Sequence, residues 1–147
     1  MASTGAALAL TGVQGWGAWV GDSRIHIVRE GRIHQLTEDQ TLVHAMVKRG
    51  ILTAEQASRH PERNVLLHVL GHAKEPEVAL WNEPLAVQSG DCFLLTSDGV
   101  HRQLATADLC EAVTHALDLE EAAVHLIGLA FERGGRDDAS VVLVRVL

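Results

Sequence analysis

The sequences LLTSDG at residues 94–99 and GGRDDAS at residues 134–140 each place an aspartate at the edge of an apolar run. Residues 92–96 and 141–147 are short, apolar runs, so we expect both to be buried β-strands. Asp98 ends the first run and Asp137 precedes the second. If the two strands pair antiparallel, both carboxylates reach one rim of the sheet. Carboxylate oxygens are the ligands that Mg²⁺ and Mn²⁺ prefer, so this pairing predicts a divalent metal site.

The composition of the 147-residue chain predicts one compact domain with an aliphatic core. Hydrophobic residues make up 47% of the chain, and 12 basic against 19 acidic residues give a net charge of −7. An acidic surface argues against a nucleic acid or an anionic membrane as a partner. We find neither a secretory signal nor an apolar run long enough to cross a bilayer, and we therefore expect a cytoplasmic protein.

The first 36 residues contain four apolar runs separated by glycine-marked breaks. We expect strands at residues 5–10, 16–20, 24–29 and 32–36. Breaks of this kind are typical of hairpins, so the four strands are predicted to form one antiparallel meander. The break at residues 21–24, GDSR, places Asp22 at a strand end.

The rest of the chain predicts helices and further strands. Thr41 is expected to cap a helix that runs to residue 49, and Thr53 with Gln56 forms a capping-box pattern over residues 54–59. This helical insertion covers about residues 41–60. Further strands are expected at 65–70 and 78–81, and further helices at 109–117, after a possible cap at Thr106, and from 119 onward, after Asp118. A mostly antiparallel sheet covered by helices is an α+β fold.

Five short motifs, in this order along the chain, resemble those of the metal-dependent protein phosphatase family known as PP2C or PPM. They are GDSR at residues 21–24, LTEDQ at 36–40, HPERN at 60–64, SDG at 97–99 and GRDD at 135–138. The resemblance implies an incomplete αββα sandwich, in which the insertion at 41–60 falls where the family carries a flap beside its active site. It also implies hydrolysis of a phosphoester substrate, a phosphoprotein or a small molecule, by water that Mn²⁺ or Mg²⁺ ions activate.

The same resemblance implies roles for four carboxylates of this chain. Asp98 and Asp137 match the catalytic metal ligands. Asp22 matches a residue that holds an additional metal together with Asp98. Asp138 stands where the family usually has Asn, so it is a candidate for an extra ligand.

The chain matches roughly the C-terminal two thirds of the family domain. The family domain opens with a segment that carries a phosphate-binding Arg and an aspartate that bridges two metal ions, and we do not find these motifs here. We therefore expect weak activity with relaxed substrate choice. Two alternatives are a non-catalytic module that binds a protein or phosphoprotein partner, and a fragment whose N-terminal part comes from another chain.

Without that segment, an apolar face of the fold is expected to be exposed. A homodimer or a strand-exchanged oligomer would cover it. The candidates for this contact are Trp16, Trp19, Val20 and the strand at residues 5–10.

Overall fold

The computed structural model describes residues 2–71 and 76–147, which form two sheets and a set of helices. In chain order the elements are β1 (Gly5–Thr11), β2 (Gln14–Val20), β3 (Arg24–Arg29), β4 (Arg32–Gln35), α1 (Leu42–Lys48), α2 (Ala54–Arg59), β5 (Ala79–Leu80), β6 (Leu85–Ala86), β7 (Cys92–Thr96), α3 (Asp98–His101), α4 (Thr106–His115), α5 (Leu119–Glu132) and β8 (Val141–Arg145). The α+β prediction is confirmed.

The first sheet is built on the hairpin of β1 and β2. Gly5 pairs with Val20 at one end of this hairpin, and Thr11 pairs with Gln14 next to the turn. The two-residue strands β5 and β6 pair with the other edge of β2.

The second sheet has the strand order β4-β3-β7-β8, and each neighbouring pair is antiparallel. Arg24 at the start of β3 pairs with Thr96 at the end of β7, and Thr96 in turn pairs with Val141 at the start of β8. The end of β7 therefore lies between β3 and β8. The segment that contains the predicted site residue Asp98 begins directly after it.

The predicted meander of the first four strands is wrong at residues 21–23. Strands β2 and β3 belong to different sheets, and this segment carries the chain from one sheet to the other. The reason lies in β3, where the four residues 25–28 are all buried. A strand that is buried on both faces has to lie between two layers, so β3 lies in the second sheet, where it pairs with β4 and β7, and does not pair with β2.

Two apolar clusters hold the three layers together. Ile25, Ile27 and Phe93 fill the space between the two sheets. On the other face of the second sheet, Leu94 and residues of α4 and α5 form the core against the helices. The mid-chain helices α1 and α2 contact each other and follow β4 in sequence.

Helix starts follow the predicted caps at three of the five helices in the described ranges. The Thr41 hydroxyl accepts a hydrogen bond from the His44 amide at the start of α1, and Asp118 accepts one from Glu121 at the start of α5. The predicted capping box at the start of α2 is also present. Helix α4 starts earlier than predicted, because Thr106 is its first helical residue rather than its cap. The sequence reading did not predict α3.

The predicted strand at residues 65–70 is wrong, because this segment contributes only isolated bridges from Leu66 to Thr41 and from Leu70 to Ser3. Of the predicted strand at 78–81, the two residues of β5 are strand. Within the described residues, no helix is long and apolar enough to cross a membrane.

Candidate active site

The antiparallel pairing of β7 and β8 brings residues 97–99 beside residues 137–140. Beyond the last pair of the ladder, the Ser97 amide donates to the Ser140 carbonyl at 3.0 Å. The Ser140 amide donates to the Ser97 hydroxyl at 2.9 Å, and this hydroxyl donates to the Asp138 carbonyl at 3.2 Å. The prediction that the end of one strand meets the start of the other is therefore confirmed.

Gly99 allows the two segments to approach this closely. A Cβ atom at this position would overlap the Asp138 carbonyl group, which is backbone and cannot rotate away. Any side chain at residue 99 would therefore push residues 137–139 away from the start of α3.

Asp22 reaches the same region from the segment that joins the two sheets. Gly21 has a φ of +90°, which glycine adopts far more readily than other residues, and its amide donates to the Gln40 side-chain oxygen. A Cβ atom on Gly21 would also overlap the Thr4 side chain. This fixed turn holds Asp22 in the interior, where only 4% of the residue is exposed.

The three aspartates line one cavity of about 890 Å³ between the helical insertion and α3. Asp22 is buried, Asp98 is partly exposed and Asp137 is exposed. The lining as a whole comprises Asp22, Arg24, Asp39, Thr41, Val43, His44, Val47, Ala54, Ala57, Ser58, Arg63, Asn64, Asp98, Gly99, His101, Arg102, Gln103 and Asp137. The carboxylates from three distant parts of the chain thus face a shared space.

Arg102 joins two of these carboxylates. Its Nη2 donates to Asp22 Oδ2 at 2.8 Å, and its Nη1 lies 3.1 Å from Asp98 Oδ2. Burial raises the pKa of Asp22 and the nearby Asp98 carboxylate raises it further, while the charge of Arg102 acts in the opposite direction. The guanidinium is therefore the cation that keeps these two carboxylates together.

A second ion pair forms the wall beside Asp22. Arg24 donates two hydrogen bonds to Asp39, at 2.8 and 2.6 Å. Burial acts to raise the pKa of Asp39, but the bonds from Arg24 outweigh it and the pKa lies below its usual value.

Two histidines next to this wall are held neutral. Burial and the charge of Arg24 lower the pKa of His101 to about 3 and that of His26 to about 4. His101 Nδ1 lies 3.3 Å from the Thr96 hydroxyl. At neutral pH both rings therefore pack as uncharged groups and add no positive charge to the cavity.

Asp137 and Asp138 have different surroundings. Asp137 lines the cavity, and its Oδ1 accepts a hydrogen bond from the Asp138 amide at 3.0 Å. Asp138 is exposed and is not part of the cavity lining; its backbone carbonyl holds Ser97 instead. The structure thus brings Asp22, Asp98 and Asp137 to one cavity and leaves Asp138 at its outside.

The chemistry of the donor set fits a hard divalent cation, because carboxylate oxygens face a polar cavity. The side chains are nevertheless not gathered into a finished site. Among residues 2–71 and 76–147, no group of three or more His, Cys, Asp or Glu side chains is placed to hold a metal ion. Arg102 accounts for part of this, since its guanidinium lies between Asp22 and Asp98.

Comparison with known proteins gives the same family that the motifs indicate. The chain is 34% identical to the protein phosphatase PhpP of Streptococcus pneumoniae over 144 residues. It is 33% identical to a putative protein phosphatase 2C-type of Streptococcus pyogenes over 146 residues. The chain is homologous to PP2C-type phosphatases. No protein-family model matches it.

Solved PP2C-type structures extend this homology to the fold. The serine/threonine phosphatase of S. agalactiae superposes with a TM-score of 0.90 at 39% identity, over 95% of this chain and 57% of that chain. The catalytic domain of the phosphatase PstP, solved in complex with two manganese ions, superposes with a TM-score of 0.80 at 31% identity, over 97% of this chain and 57% of that one. The predicted fold is therefore confirmed.

The match covers nearly all of this chain but only part of each relative. The match to PhpP covers 98% of this chain and 58% of PhpP, so the chain spans less than two thirds of the curated relatives it matches. The PP2C-like part described here contains the cavity and the three carboxylates that line it.

Sequence reasoning missed Arg102 and the short helix α3 that precedes it. Asp98 and Arg102 are four residues apart, and the Arg102 amide donates to the Asp98 carbonyl at 3.1 Å. An acidic and a basic residue at this spacing is the usual signal of an ion pair along one helical turn. That signal was available in the sequence, but it carries weight only once a helix after Ser97 is known.

Proposed function

We propose that the chain takes part in metal-dependent hydrolysis of phosphoesters, as a serine/threonine protein phosphatase of the PP2C type. The observation that carries this proposal is the pairing of β7 with β8, which sets Asp98 and Asp137 on the wall of one cavity. The homology supports it, because relatives with 34 to 39% identity are named protein phosphatases.

In this proposal Asp98 and Asp137 hold Mn²⁺ or Mg²⁺. A divalent cation bound there supplies a water molecule of lowered pKa and neutralises charge on the phosphoryl oxygens. The chain itself contributes the rigid placement of the two ligands: Asp98 is the first residue of α3, and Asp137 is anchored through its hydrogen bond from Asp138. Asp138 is left out of the proposed ligand set because it lies outside the cavity lining.

Helices α1 and α2 are proposed to act as the flap on the substrate side, within one PP2C-like domain. They supply apolar and neutral side chains to the cavity wall opposite α3, among them Val43, Val47 and Ala57. Such a surface suits the peptide around a phosphorylated residue better than it suits a highly charged ligand. A phosphoserine or phosphothreonine protein is therefore the substrate class we propose.

The second candidate is the non-catalytic module that binds a phosphoprotein without hydrolysing it. It is favoured by the absence, within the described residues, of a ready group of three metal-binding side chains. In this case the same cavity would bind the partner, and added metal would change nothing.

Turnover of an aryl phosphate with added Mn²⁺ separates the two candidates. We expect hydrolysis that depends on Mn²⁺ and stops when a chelator removes the ion, because the carboxylates alone repel a phosphate dianion. The measurement is release of the phenolate at neutral pH, with heat-denatured protein as the blank. Hydrolysis that is equal with and without chelator contradicts the metal-dependent mechanism, and no hydrolysis with tight phosphopeptide binding favours the module.

We also propose a homodimer through the outer face of the first sheet. Trp16 and Leu80 are exposed there at 40% and 64%, next to the small side chains of Ala7 and Ala9. Trp19 and Val20 were predicted to join this contact, and we leave them out of the proposed surface because they are only 9% and 3% exposed. A solution mass of 15.9 kDa at micromolar concentration would contradict the dimer.

A cytoplasmic location stays a prediction of the sequence.

A further inference from the structure

The carboxylates of Asp22 and Asp98 require a positive charge between them. Asp22 is 4% exposed and Asp98 acts on it as a nearby like charge. A buried carboxylate next to a second one is strongly destabilising unless a cation neutralises the pair. A bound divalent ion or a basic side chain can supply this charge. The family resemblance implied a metal ion.

In the structure this place is filled by part of the chain itself. The Arg102 guanidinium spans the gap, with Nη2 at 2.8 Å from Asp22 Oδ2 and Nη1 at 3.1 Å from Asp98 Oδ2. Helix α3 sets this geometry, because it places Arg102 one turn after Asp98 and thus beside it. A planar guanidinium with several N–H donors suits two converging carboxylates.

We propose that Arg102 is a built-in cation that replaces a divalent metal ion between Asp22 and Asp98. In this proposal Asp22 is not a metal ligand, because its carboxylate belongs to an ion pair that is complete without metal. Asp98 also lines the cavity together with Asp137. The ion pairs of Arg102 with Asp22 and Asp98 hold this part of the site together without a metal ion. This inference does not depend on whether the chain hydrolyses a phosphoester.

The test is Arg102→Met, which removes the charge and keeps most of the length of the side chain. Without metal, we expect the midpoint of thermal unfolding to fall by about 5–10 °C, because the Asp22 carboxylate loses its cation. With Mn²⁺ present we expect the variant to bind one ion more per chain than the wild type, and to regain most of the lost thermal stability. Calorimetric titration gives the ion count, and thermal unfolding followed by circular dichroism gives the midpoint.

Arg29→Met is the matched control. Arg29 has the same side-chain exposure as Arg102, 31%, and it also pairs with a buried carboxylate, that of Asp91, at 2.6 Å. We expect a similar loss of thermal stability. Arg29 differs from Arg102, however, because it pairs with one carboxylate and not with two. Added Mn²⁺ should therefore leave the Arg29→Met midpoint where it is, and add no ion to the count.

The double variant Arg102→Met, Asp22→Asn keeps the test decisive if Arg102→Met alone does not fold. Removal of both charges is expected to restore folding without metal and to abolish the additional Mn²⁺ site. The proposal is overturned if Arg102→Met binds the same number of Mn²⁺ ions as the wild type. It is equally overturned if Mn²⁺ stabilises Arg102→Met no more than Arg29→Met.

Discussion

Asp98→Asn is expected to lower Mn²⁺-dependent turnover of an aryl phosphate by about 10²-fold or more. The amide has the size of the carboxylate but lacks its negative charge, so it loses most of its affinity for a hard cation. Asp137→Asn is expected to have an effect of the same order, because the two residues line the same cavity from opposite strand ends. Initial rates at saturating Mn²⁺ are the measurement.

Asp138→Asn supplies the matched control for these variants. It makes the same chemical change one residue from Asp137, at an exposed side chain outside the cavity lining. The backbone contacts of residue 138 are the ones that hold the loop, and they are unaffected by this change. Turnover of Asp138→Asn should stay near the wild-type value. Wild-type turnover in Asp98→Asn or Asp137→Asn would remove these carboxylates from the mechanism.

Gly99→Ala is expected to destabilise the fold by about 2–3 kcal/mol. The added methyl group would overlap the Asp138 carbonyl, which is held in place because it accepts a hydrogen bond from the Ser97 hydroxyl. Relief requires the loop at residues 137–139 to move, so we expect turnover to fall together with stability. The free energy of unfolding in urea is the measurement.

The control for Gly99→Ala is Gly128→Ala in helix α5. A Cβ atom at residue 128 would meet nothing within 4 Å, and the position is inside a helix. Alanine favours the helix over glycine, so this variant should be more stable than the wild type by about 0.5–1 kcal/mol. A Gly99→Ala variant as stable as Gly128→Ala would show that the two segments do not approach as closely as described.

The strands could be predicted where the local pattern was sufficient. The run at residues 92–96 is apolar and bounded by glycines, and β7 occupies these residues. The separation into two sheets could not be predicted in the same way. The break at residues 21–23 resembles a hairpin turn, and only the burial of both faces of β3 reveals that the chain changes sheets there.

The sequence predicted the acidic residues of the candidate site, but it did not predict that Arg102 would lie among them. Asp98 and Asp137 follow and precede apolar strands, and the pairing of these strands places both residues on the wall of one cavity. Arg102 follows a four-residue helix that has no periodic apolar stripe, and helices that short give almost no sequence signal. Our proposal replaces the metal ion expected beside Asp22 with Arg102, which directly follows this unpredicted helix.

Mn²⁺ binding to the wild type and to the double variant Asp98→Asn, Asp137→Asn tests the central claim most directly. Free Mn²⁺ can be measured by electron paramagnetic resonance during titration, without any substrate. The account predicts that the wild type binds Mn²⁺ and that the double variant, still folded by circular dichroism, does not bind it over the same concentration range. Equal binding by the two proteins would contradict the assignment of the metal site to the paired ends of β7 and β8.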